Sequence, residues 1–126
     1  MTVSHETILN GIDALTSIDN VLMDANSLAE DVMLLSESFE EMEFKKAISE
    51  TVRALIQIAA NEITSAHLKY SFAGWDSYHF QHTRAQGARA DMRIIFKEKD
   101  KKIYVLGFGH RDVPADIYAR LAQDRL

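Results

Sequence analysis

Apolar residues in the first half of the chain recur at helical spacing. Ile8, Ile12 and Leu15 stand at i, i+4 and i+7, with Ser4 placed to cap them. Leu28, Val32 and Leu35 repeat the spacing behind Ser27 and Glu30, a capping-box pattern, and Ser38 with Glu41 offers a second. Phe44, Ile48, Val52, Leu55, Ile56, Ala59 and Ile63 then form one stripe, which predicts a long helix over 39–66. Between the first two helices, "DNVLMD" is too short to assign as strand or turn. After Ala66 the period changes to alternation, in "HLKYSF", "YHFQHTR", "DMRIIFK" and "KIYVLGFG". Pro114 sits where it can open a closing helix, "ADIYARLAQ", with Ile117 and Leu121 at i, i+4. Helices first and an antiparallel meander of three to four strands after them predict an α+β domain. Its N-terminal helices are expected on one face of the sheet.

The last two strands make a hairpin. With its turn centred on Lys99-Asp100, Phe96 lies opposite Ile103, and Met92, Ile94 and Phe96 share an apolar face with Ile103, Val105 and Gly107. That face is expected beneath the helix carrying Ile48, Leu55 and Ile63. The second face holds Arg93, Ile95 and Lys97 beside Lys102, Tyr104 and Leu106, and is expected to be open to solvent. Arg93 and Lys97 suit a polyanion there, or are the polar positions of a half-exposed strand.

Composition narrows the classes. At 126 residues a single domain is expected, and the absence of cysteine excludes disulfide frameworks and thiolate metal sites. The start lacks a basic segment followed by an apolar run, and no stretch approaches a membrane span. A cytoplasmic chain with no membrane partner is therefore expected. The net charge of −5 hides a split. Residues 1–66, the acidic helical part, hold three basic residues against twelve acidic, while 67–126, the basic meander and last helix, hold eleven against seven. Such asymmetry suggests an anionic partner for the second half.

The stretch "MRIIFKEKDKKIYVLGFGHR", followed by "PADIYARL", resembles the C-terminal half of the RelE/ParE superfamily, bacterial toxins of toxin–antitoxin pairs. The resemblance spans about 90–120 and rests on the order Arg93, His110, Arg111, Tyr118. It implies two helices on one face of an antiparallel sheet and, commonly, ribosome-dependent cleavage of mRNA without a metal or cofactor. In that reaction the ribose 2′-hydroxyl attacks the adjacent phosphorus. Arg93 and Arg111 are the implied phosphate ligands, His110 the implied base or acid, and Tyr118 an acid or stacking residue. Lys69, Arg84, Arg89 and Lys97 are candidate RNA contacts. The implied partners are a cognate antitoxin, the ribosome with its mRNA, and a second copy of the chain. The other branch of the superfamily keeps the fold and binds DNA gyrase without nuclease residues, so a non-catalytic binding or oligomerisation module is the alternative. A strand ahead of the helices, which the resemblance also implies, is not legible.

Two further features have plain readings. His79 and His82 at i, i+3 fall on opposite faces of a strand, so no metal site is expected unless His67 or Asp76 completes one. Trp75 reads as an aromatic at the edge of the core, with base stacking as its functional alternative.

Overall fold

The computed structural model describes residues 2–126. Four helices and five strands follow in the order α1 (His5–Thr16), β1 (Val21–Met23), α2 (Ala25–Ser38), α3 (Glu41–Ala59), β2 (Ala66–His67), β3 (Asp76–Phe80), β4 (Met92–Lys99), β5 (Lys102–His110) and α4 (Ile117–Asp124). The strands form one sheet in the order β1-β5-β4-β3-β2. From β2 to β5 it is an antiparallel meander, and β1 joins β5 in parallel, with Val21 opposite Ile103. The class is α+β, as the patterning predicts. "DNVLMD" resolves as the three-residue strand β1, too short to show an alternation. Among the described residues no helix is long and apolar enough to cross a membrane.

The amphipathic stripes pack as expected. Ile8, Leu15, Leu28, Val32, Leu35, Phe44, Ile48 and Leu55 are buried with Met92, Ile94, Phe96, Ile103 and Val105 in one cluster between α1–α3 and the sheet. Ser4 caps α1, its hydroxyl accepting the Thr7 N–H. The other caps differ from the sequence reading. Asp24, not Ser27, caps α2 by accepting the Ser27 N–H. Glu41 is no capping-box partner of Ser38: its carboxylate takes the hydroxyls of Ser4 and Thr7 and so fastens α1 to α3. Those two hydrogen bonds chiefly hold the Glu41 carboxyl below its ordinary pKa. The third helix spans Glu41–Ala59 rather than 39–66, and Ile56 on its outer side is exposed. "HLKYSF" continues as strand only through His67, then tightens into a 3-10 turn at Tyr70–Phe72. Pro114 lies outside α4, whose cap is Asp116.

The hairpin shows two corrections. Its turn is Asp100-Lys101, both with positive φ, as a two-residue hairpin of the twist-matched type needs, so Phe96 faces Val105 and Glu98 faces Ile103. A bulge then inserts Leu106, because Phe96 pairs with Val105 but Ile95 pairs with Gly107. Gly107 therefore leaves the main core face, where alternation had put it, and faces α4 together with Leu106. The second sheet face is not open. Ile95 and Leu106 are buried there beneath Ile117 and Leu121 of α4, flanked by Leu68, Phe72, Trp75 and Tyr118.

What holds α4 in place is a buried carboxylate. Asp31 of α2 is 0% exposed and reaches the edge of β5 just beyond the last pairing of β1, where it accepts the Phe108 N–H at 3.0 Å. Arg120 donates to Oδ1 of Asp31 at 2.7 Å, and Arg125 donates to both oxygens at 2.8 Å. Arg125 also binds Glu30 and the carbonyls of Leu106 and Ser27. Burial pulls the Arg125 pKa down, but hydrogen bonds and charge from Asp31 and Glu30 outweigh it and leave the group above its ordinary value. The guanidinium crosses Gly107, where a Cβ would stand 2.8 Å from Arg125 Nη1 and 2.5 Å from Leu121 Cδ2. Gly107→Ala is accordingly expected to destabilise the fold by ~1–3 kcal/mol, read as a lowered midpoint in urea unfolding.

Candidate active site

Alternation along β3 and β4 sends Ser77, His79, Arg93 and Ile95 to the face that α4 half covers. His79 pairs across the strands with Arg93, and Ser77 pairs with Ile95. From α4, Tyr118 closes the group: its hydroxyl lies 2.8 Å from Ser77 Oγ and 3.4 Å from His79 Nε2. Phe72 meets the Tyr118 ring edge-on and fixes its tilt. The His79 pKa is lowered from its ordinary value, first by partial burial and then by the charges of Arg93 and Arg111. The shift favours the neutral imidazole, with cations near it. That is the chemistry of a general base beside an anion site.

Arg93 is 8% exposed, so the expectation of a solvent-facing side chain is corrected. Its Nη1 donates to the carbonyls of Ala90 and Met92, and Nε and Nη2 make no hydrogen bond among the described residues. A half-satisfied guanidinium of this kind keeps two nitrogens for an acceptor such as a phosphate oxygen. Arg111 follows β5; its N–H binds the Asp91 carbonyl, its own carbonyl accepts the Ile117 N–H, and its side chain pairs with Asp112. That hydrogen bond from Arg111 is the chief cause of the lowered Asp112 pKa.

His110 does not join this group. It pairs with Met92, so it points to the helix side of the sheet, with its ring 6.1 Å from Phe39. Its Nδ1 accepts the backbone N–H groups of Asp112 and Val113 and orders the turn after β5. The sequence pattern places histidine and arginine side by side, but successive residues at a strand end point to opposite faces. Lys97 lies over the Trp75 ring at 4.6 Å, at the far end of the same face as Arg93, and Trp75 packs against the smaller core. Lys69, Arg84 and Arg89 are exposed, on the turn before β3 and the loop before β4. Arg89 is close enough to Asp112 for its charge to help lower that carboxyl's pKa.

The sequence reading had passed over His79 and Ser77 as site members. Their signal is present but faint: two polar residues at i, i+2 on a strand, legible only once the register with Arg93 is known. His82 has another task. It bridges Glu43 of α3 and Asp91 ahead of β4, and the Phe39 ring lies tilted against its ring with centroids 4.5 Å apart. Hydrogen bonding from His82 is the first cause of the lowered Glu43 pKa, followed by bonds from Thr83 and Lys46. Together with Gln81, whose amide binds Ala85 and Ala88, this bridge fixes the loop 81–91 that carries both backbone anchors of the arginines. Among the described residues no group of three or more histidine, aspartate or glutamate side chains is placed to hold a metal ion.

Comparison with known proteins gives no match: no family model fits the chain, and no curated protein or solved structure is significantly similar to it.

Because Ser77 is 1% exposed, Tyr118→Phe leaves a buried hydroxyl without its partner. The expected cost is ~1–3 kcal/mol in denaturant unfolding, and Ser77→Ala in the same chain should recover most of it.

Proposed function

We propose that the chain is a RelE-like toxin, an endoribonuclease that cuts mRNA on the ribosome and is held in check by a cognate antitoxin. One observation carries the reading: His79 pairs across the strands with Arg93, lies 3.4 Å from the Tyr118 hydroxyl and feels the charges of Arg93 and Arg111, a set suited to the roles of base, phosphate ligands and acid. Two others support it. A strand, β1, precedes the paired helices α2 and α3, which is compatible with the strand that the resemblance implies ahead of its helices. The acidic helices α1–α3 pack on the sheet face opposite this site.

His79 Nε2 takes the proton of the ribose 2′-hydroxyl. The freed oxygen bonds to phosphorus, and Arg93 and Arg111 hold the charge that grows on the non-bridging oxygens. The bond from phosphorus to O5′ breaks, and Tyr118 gives its proton to the departing oxygen. The products are a 2′,3′-cyclic phosphate and a 5′-hydroxyl. In this scheme His79 takes the role that the resemblance gives to His110.

The test is incubation with ribosomes programmed with a reporter mRNA, followed by analysis of the fragment ends. Cyclic phosphate ends, and no cleavage where the scissile ribose lacks its 2′-hydroxyl, are expected. His79→Ala should slow the cut by about a hundredfold or more. It is a cleaner probe than Arg93→Ala, since truncating the buried arginine also disturbs the loop carbonyls. The rate should be level above neutrality and fall as pH drops through the lowered His79 pKa, because the protonated ring accepts nothing. Fragments ending in a 3′-hydroxyl, or no cleavage at all with ribosomes, would overturn the proposal and favour a binding module.

A further inference from the structure

The sheet has an unfilled edge beside the proposed site. Strand β2 stops opposite Ser77, so Tyr78–Phe80 of β3 has no strand on its outer side. A cleft of about 420 Å³ opens there, between the second half of α3 and the loop 81–90. Its helical wall is a polar stripe: Glu50, Arg53 and Gln57 stand at i, i+3 and i+7 on one side of α3, next to the buried stripe. Its floor is the pair Tyr78 and Phe80, whose rings stack at 5.9 Å with only 14° between planes. Arg84 closes the far side from the loop.

Two facts mark this cleft as more than a surface groove. Arg53 and Arg84 both line it, and neither makes an ion pair or hydrogen bond with its side chain within the described residues. Arg53 is also the only arginine in the acidic half, where charge neutralisation by a neighbouring carboxylate would be easy to arrange. In addition, His79 lines the cleft as well as standing beside Tyr118, so the two meet at the edge of β3, the cleft on the α3 side and the proposed site on the α4 side.

We propose that this cleft binds a nucleotide of the same single-stranded RNA, next to the one that is cut, with its phosphate on Arg53 and Arg84. The volume falls within the range for small-ligand sites. The chemistry matches a nucleotide better than a bare anion. Two guanidiniums meet phosphate, the edge of β3 and the Gln57 amide offer hydrogen bonds to a base, and aromatic rings in the floor offer it an apolar surface. The Glu50 carboxylate accepts from sugar hydroxyls or exocyclic amines and would repel a free phosphate. This inference rests on the ribonuclease reading and adds to it a second contact point that the helical half of the chain supplies.

Fluorescence anisotropy with a labelled single-stranded DNA hexamer tests the inference apart from catalysis, because DNA has the phosphates but no 2′-hydroxyl to react. Titrations run from 50 to 300 mM salt, roughly the range in which phosphate contacts dominate. The variant Arg53→Gln with Arg84→Gln should weaken binding on the order of tenfold and flatten the salt slope by about 0.7, the value for one neutralised phosphate of a single strand. Ala88→Trp, on an exposed lining position, fills the cleft without changing charge and should weaken binding as well. If Arg111→Ala weakens binding while the double variant and Ala88→Trp leave it unchanged, the cleft assignment is wrong and the active-site reading stands. If the unmodified protein shows no salt-dependent binding, both fall.

Discussion

A single buried carboxylate joins the two sides of this molecule. Asp31 comes from the helical layer, yet its partners are the backbone of β5, Arg120 of α4 and Arg125 at the C-cap of that helix, which lies across the sheet. Taking a carboxylate fully out of water costs several kcal/mol, and only close cations and a backbone donor offset that. Here the charges balance, with Asp31 and Glu30 facing Arg120 and Arg125. At eight residues, α4 is too short to persist by itself. Its position therefore depends on the clamp and on the burial of Ile117 and Leu121, worth ~1.5–3 kcal/mol for each side chain. Gly107 is the condition for both, since any side chain there would displace the arginine and the leucine together.

From that clamp the site follows. Once α4 lies across the sheet, Tyr118 meets Ser77 and His79, and partial burial of the imidazole lowers its pKa. A second anchor works from the opposite face. Through the contacts of His82 with Glu43 and Asp91, the helical layer holds the loop whose carbonyls at Ala90 and Asp91 bind Arg93 and the backbone of Arg111. The acidic helices are thus more than a solubilising layer. They supply Asp31, Glu43 and Glu41, each spent on a specific tie to another element.

Periodicity made the helices and the hairpin legible, because burial of one face imposes a period that composition cannot hide. It also gave most members of the main core, with Gly107 and Ile56 among the exceptions. What it missed depends on three-dimensional coincidence. The strand β1 is three residues long and takes its identity from pairing with β5. The bulge at Leu106 moves Gly107 to the other face, and nothing in "YVLGFG" signals an extra residue except the glycine itself. His110 looked like a site residue because it precedes Arg111, whereas strand alternation separates the two. His79, exposed in the structure as well, gave no sign of its partners because Arg93 and Tyr118 lie 14 and 39 residues away. Asp31 gave no signal, since one acidic residue among many on a helix reads as solvated.

The dependence of the site on the clamp can be measured directly. Asp31→Asn keeps an acceptor for the Phe108 N–H but removes the charge that holds Arg120 and Arg125. An NMR pH titration of the His79 ring in both proteins is the test. In the unmodified chain His79 should titrate below the ordinary histidine value of 6.5, and in the variant it should move up towards that value as α4 loosens and Tyr118 leaves the side of the ring. A His79 that titrates at or above 6.5 in the unmodified chain, or that keeps its lowered value after the clamp is broken, would contradict this account.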